Sequence, residues 1–119
     1  MKNILSYLFG VMMIAGAVGH VLAPHFYAAM IPSFISPTFA NILATIVEAA
    51  VGVLLFIPKY RHWGGLGFSV LMLAFLPLHI WDLFKEQPAV GPSPAPEIRL
   101  VFQFLFIYAG WWIYKKAKP

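Results

Sequence analysis

No cysteine occurs among the 119 residues, which excludes disulfide staples, CxxC redox chemistry, thiolate metal sites and iron-sulfur clusters held by the chain's own thiols. Any redox role needs a bound cofactor or a partner. Charge is scarce too: eight Lys and Arg and four Asp and Glu make up 10% of the chain, against 61% hydrophobic residues. With a mean hydropathy of +0.82, that leaves too little polar surface to cover a soluble globule, and an integral membrane protein is expected. Repeats, a second domain and a self-contained catalytic motif are missing as well, so a single domain from 1 to 119, without enzymatic activity of its own, is the expectation. The net charge of +4 does not point to nucleic acid, because the basic residues lie at the ends of apolar runs and read as topology signals.

What the chain does have is long apolar segments. Four are expected to be membrane helices: residues 4–23, 37–57, 64–84 and 98–114, each near the roughly 20 residues a span requires. The fold class is therefore all-α, a four-helix transmembrane bundle with a short interfacial segment between the first and second spans. The N-terminal run resembles a signal peptide in Lys2 and Ala15-Gly16-Ala17, but it stays apolar to Ala23, and retention is expected. Ser36 and Pro37 form an N-cap and first helical position, and Pro58 is a stop.

Four spans would put both termini and the connection between the second and third on one side, gathering Lys2, Lys59, Arg61, Lys115, Lys116 and Lys118. Only Lys85 and Arg99 fall on the other side. The positive-inside rule then predicts cytoplasmic termini, with the three lysines of the C-terminal end marking orientation rather than a specific lipid site. Ala23 to Ser36 is apolar enough to fold as an interfacial helix or lid. Glu86 to Pro96, with four prolines, is expected to be an extended, solvated strap.

One residue stands out against this background. Glu48 lies near the middle of the second span, where a carboxylate costs about 3 kcal/mol to insert. Eleven Phe, Ile, Leu or Val residues between Phe39 and Ile57 offset that cost. Helical periodicity places Asn41, Ala44, Thr45, Glu48 and Gly52 on one face, which should turn inward because small residues allow close approach and polar ones need partners. At about 1.5 Å per residue, Glu48 lies roughly 16 Å below the outer end of its helix. His20, His79, Asp82, Arg99 and Gln103 fall in the same outer half, whereas the inner half offers little beyond Ser6, Tyr7 and Ser69. A polar pocket open to the non-cytoplasmic side, with Glu48 at its floor, is expected. Pro77 removes a backbone donor and should kink the third span.

Two readings of Glu48 stay open: interhelical hydrogen bonding to Thr45, His20 or Gln103, or a proton-accepting or ligand-binding carboxylate. His20 and His79 could bridge helices or line a pocket, hydrogen-bonding the carbonyl oxygens of a quinone. Haem or metal ligation by them is disfavoured, since no motif spacing fixes their separation. Asp82 and Arg99 are expected to pair across the mouth.

Several of these pieces, taken together, resemble the DoxX-like family of small four-span membrane proteins. They are Ala15-Gly16 with His20, Pro24, Phe26-Tyr27, Met30 and Pro32; Val47-Glu48-Ala49 through Gly52-Val53-Leu54-Leu55 to Ile57-Pro58; Arg61 with Trp63; Leu76-Pro77; and Ile98-Arg99-Leu100 with Gln103. Val21 and His79 depart from the pattern, which has phenylalanine and asparagine there. The resemblance implies a four-helix membrane bundle in the bacterial cytoplasmic membrane and no single activity. Family members resemble subunits associated with thiosulfate or sulfur oxidation to quinone, methylamine utilisation or oxidant defence, and distant animal relatives act as receptor-assembly chaperones. The leading expectation is a non-catalytic accessory subunit that binds a quinone or lipid and supports a redox or envelope-associated membrane partner. An assembly factor recognising partner transmembrane helices is the alternative, and a small transporter ranks third.

Overall fold

A computed structural model describes all 119 residues, and every regular element in it is helical. Four long α-helices dominate: α1 (Lys2–Leu22), α2 (Pro37–Phe56), α3 (Arg61–Leu83) and α4 (Ala95–Ala117). Two 3-10 segments join them, so the helical elements outnumber the four expected. Pro24–Met30 follows α1, and Pro58–Tyr60 leads directly into α3. Lys2–Leu22, Pro37–Phe56 and Pro58–Leu83 are long and apolar enough to cross a membrane. The fourth helix matches them in length, but Glu97, Arg99, Lys115 and Lys116 make it less apolar.

Local chemistry sets the boundaries. Ser36 Oγ accepts a hydrogen bond from the Phe39 N–H at 3.3 Å, and Pro37 opens α2 where a missing donor costs nothing. Pro58 then holds the preceding Ile57 in an extended conformation, which ends the helix. Pro77 lies inside α3, which nonetheless continues to Leu83.

The helices pack as two hairpins, α1 with α2 and α3 with α4, joined mainly along α2 and α3. Glycine permits the tightest approaches. A Cβ on Gly65 would lie 2.9 Å from the Gly110 carbonyl oxygen, and one on Gly110 would lie 2.9 Å from that of Gly65, so α3 and α4 cross nearly backbone to backbone. Ser69 Oγ donates to the Ile107 carbonyl at 2.7 Å across the same seam. Phe9, Met13, Val51, Leu55, Phe68, Met72 and Ile113 form the core, with Phe9 and Phe68 stacked at 4.3 Å. The outer faces of the helices are apolar, a surface suited to hydrocarbon rather than water.

Two expectations are corrected. The segment before α4 is not an extended strap: Gly91 N–H donates to the Pro88 carbonyl and Ala95 N–H to that of Pro92, forming turns, and α4 starts at Ala95 with Pro96 buried in its first turn. Prolines whose fixed φ suits turns and first helical positions account for this. The half of the bundle that holds both chain ends, where few polar groups were expected, is also richer. Arg61 is only 4% exposed: its Nε donates to the Leu55 carbonyl at 3.0 Å and its Nη1 to Asn3 Oδ1 at 2.9 Å, while the guanidinium lies over the Tyr7 ring. It caps the open carbonyls at the end of α2 and ties them to α1.

Candidate functional site

The inward face of α2 meets the C-terminal end of α1 in a hydrogen-bonded line. Glu48 Oε2 lies 2.9 Å from His20 Nε2, and His20 Nδ1 lies 2.7 Å from Asn41 Oδ1. Asn41 sits two turns above Glu48 on the same helix, so one imidazole spans both. The Asn41 amide is oriented by its own helix, since Nδ2 donates to the Pro37 carbonyl at 2.9 Å. Its oxygen therefore faces His20 and must receive a hydrogen from Nδ1. That assignment leaves one variable proton, on the line between Nε2 and Oε2: the pair is either imidazolium with carboxylate or neutral imidazole with carboxylic acid.

Glycines make room for this arrangement. Gly16 faces Glu48 Oε1 so closely that a Cβ there would run into the carboxylate. A Cβ on Gly19 would lie 2.6 Å from the Tyr27 hydroxyl. The Tyr27 ring, carried on the Pro24–Met30 segment, stacks on His20 with centroids 3.7 Å apart and planes 23° apart. Burial, and secondarily the neighbouring Glu48 carboxylate, push the Tyr27 phenol above its ordinary value. The segment expected to act as a lid thus lies on the imidazole.

Beyond this line, between α2 and α3, is a cavity of about 220 Å³. Glu48, His20, His79 and Tyr27 supply its polar groups; Met30, Ile31, Ala40, Ala44, Phe75 and Leu78 supply the rest. His79 lines this cavity, and its Nδ1 is buried without a protein partner. A group so placed suits a ligand atom, because an unmet buried polar atom costs about 1–3 kcal/mol. No three of His, Cys, Asp and Glu come together as a metal site would require.

Asp82 organises the end of α3. Its buried carboxylate pairs with Arg99 Nη2 at 2.7 Å and with Lys85 at 3.4 Å, and it accepts from the Ala89 N–H at 2.7 Å. Lys85 also donates to the Ala29 carbonyl at 2.7 Å, and Arg99 Nη1 reaches Met30 Sδ at 3.8 Å. Both cations therefore tie the lid segment to α3 and α4.

Not every expected residue joins the pocket. Thr45 Oγ1 donates to the Asn41 carbonyl on its own helix rather than to Glu48. Gln103 lies in the seam between α3 and α4, where Nε2 donates to the Met72 carbonyl at 2.7 Å and approaches the Met72 sulfur. It makes no contact with Glu48 because the second hairpin's own crossing consumes it. Conversely, Tyr27, Gly16 and Lys85 carry more of the site than sequence reasoning assigned them. The spacing of Tyr27 seven residues beyond His20, across the helix-ending Pro24, was the available signal.

Residues 9–114 match the family described as a domain of unknown function, DUF8561. The chain belongs to that family. No curated protein and no solved structure matches it.

Proposed function

We propose that the protein is a four-span membrane subunit, with both termini cytoplasmic, that binds a small amphipathic molecule in the cavity beside Glu48 and serves a redox or envelope-associated partner. The observation that carries this reading is a cavity in which the Glu48 and His20 pair and His79, whose Nδ1 is buried without a partner, meet a mainly apolar wall. A carbonyl or hydroxyl oxygen on the ligand would meet His79 and the shared proton, and its apolar body would lie against Phe75, Leu78 and Ile31. A quinone head group has this chemistry, as the DoxX-like resemblance suggests. Glu48 acts as the proton-holding acid, His20 as its partner and Asn41 as the group that orients the imidazole. For the assembly-factor alternative, part of the small and polar face of α2 is taken up within the chain: Gly52 lies against Gly10 and Ile14, and Glu48 against Gly16.

The test is a titration of the purified protein with a short-tailed quinone, read by tryptophan and tyrosine fluorescence and compared with Glu48→Gln. Loss of quenching in the variant, with co-purifying membrane partners retained, supports the reading. Unchanged quenching together with lost partners would sink it.

A further inference from the structure

We propose that a second site, outside the bundle, binds an uncharged glycerolipid of the outer leaflet. It is a groove of about 470 Å³ between the end of α1, the Pro24–Met30 segment and the start of α2, distinct from the Glu48 cavity. His20 is the one residue that lines both.

Its walls differ in kind. Val21, Ile42 and Ile46 form an apolar side and are 63%, 56% and 62% exposed, so they project away from the bundle into what the four-span reading makes hydrocarbon. Thr38, Asn41 and Thr45 form a polar stripe beside Ile42 and Ile46 on the same helix, over about 10 Å of rise. These polar groups are only partly used within the protein. Asn41 Nδ2 commits one hydrogen to the Pro37 carbonyl and keeps another. Thr45 donates to the Asn41 carbonyl and leaves its oxygen free to accept. The Thr38 hydroxyl, near the helix start, is exposed. Donors and acceptors thus alternate down one wall, matching a head that carries both hydroxyls and an ester carbonyl, while an alkyl chain follows Val21, Ile42 and Ile46.

Charge selects among lipids. The lining contains no Lys, Arg, Asp or Glu. Glu48 points across the seam and is covered by His20. Both ring nitrogens of His20 are taken up by Glu48 and Asn41, so a phosphate would have to be desolvated in this groove with no lysine or arginine and only the exposed His25 ring beside it. An uncharged glycerol head bears no such cost. Pro24 and His25 roof the groove, and its volume is in the range of sites that take small lipophilic molecules.

The experiment places the whole protein in phosphatidylcholine nanodiscs containing a monoacylglycerol with a photoactivatable diazirine in its acyl chain, and maps the adducts by peptide mass spectrometry. Adducts concentrated on residues 20–28 and 37–46, displaced several-fold more readily by unlabelled monoacylglycerol than by phosphatidylglycerol, are expected. Ile46→Trp should fill the groove and lower those adducts several-fold without changing adducts elsewhere or the helical circular dichroism. Ile42→Trp carries the same expectation should the first variant fold poorly. Adducts spread evenly over all four helices, equal displacement by the anionic lipid, or insensitivity to both tryptophans in folded protein would overturn the proposal. None of these readings depends on whether the Glu48 cavity takes a quinone.

Discussion

Glu48 is tolerated because His20 and Gly16 were arranged around it. Alanine ordinarily favours a helix over glycine by about 1 kcal/mol. At Gly16 the crowding by Glu48 Oε1 reverses that preference, and Gly16→Ala should lower thermal stability by about 1–3 kcal/mol. In a Glu48→Ala background the carboxylate is gone, and the same substitution should become neutral or stabilising. Thermal unfolding in detergent across this double-mutant cycle checks the claim; independent, additive losses would contradict it. Tyr27 gives a second check. Its phenol is pushed up, so its folded value exceeds the unfolded one near 10. The neutral ring's contribution is then fully present below about pH 10 and lost as pH rises through the raised value. Tyrosinate absorbance of the protein minus that of Tyr27→Phe should titrate above the ordinary range. Inward placement of Glu48 was legible from periodicity, since Asn41, Thr45 and Gly52 share its face. Which of Thr45, His20 and Gln103 meets it was not, because His20 reaches it only where Gly16 lets α1 come close.

At the scale of elements, helix ends matter most. The end of α2 leaves carbonyls open where Pro58 forces the chain away, and Arg61 closes them from the first turn of α3 while reaching Asn3 on α1. Arg61→Gln should therefore cost about 1–3 kcal/mol. Lys59→Gln, two residues earlier and exposed, should stay within about 0.5 kcal/mol. Chemical unfolding of the two variants in mixed micelles separates a buried cap from a topology charge; equal effects would contradict the assignment. Sequence made the helix boundaries at Ser36, Pro37 and Pro58 legible because each rests on local backbone chemistry. It did not reveal the roles of Arg61 or Gln103, which depend on how helices cross. Periodicity says which face turns inward, not which neighbour it meets, and the crossing at Gly65 and Gly110 sends Gln103 to Met72.

For the molecule as a whole, pairing α1 with α2 and α3 with α4 leaves the joint between the hairpins as the place where a cavity can persist. Glu48 and His20 come to that joint from the first hairpin, His79 from the second, and the Pro24–Met30 segment covers them under the hold of Lys85 and Arg99. An all-α chain built from apolar helices was readable from composition and run length alone. The cavity was not, since it arises from the gap between two separately packed hairpins. The central claim is that this gap is a ligand site. The most direct measurement is mass spectrometry of small molecules released from gently solubilised protein, comparing the natural chain with Ala44→Phe, which puts an aromatic ring into the cavity. The account predicts an amphipathic compound near equimolar amounts from the natural chain and its loss from the variant at unchanged helicity. The same compound in equal amount from both, or none from either, would contradict it.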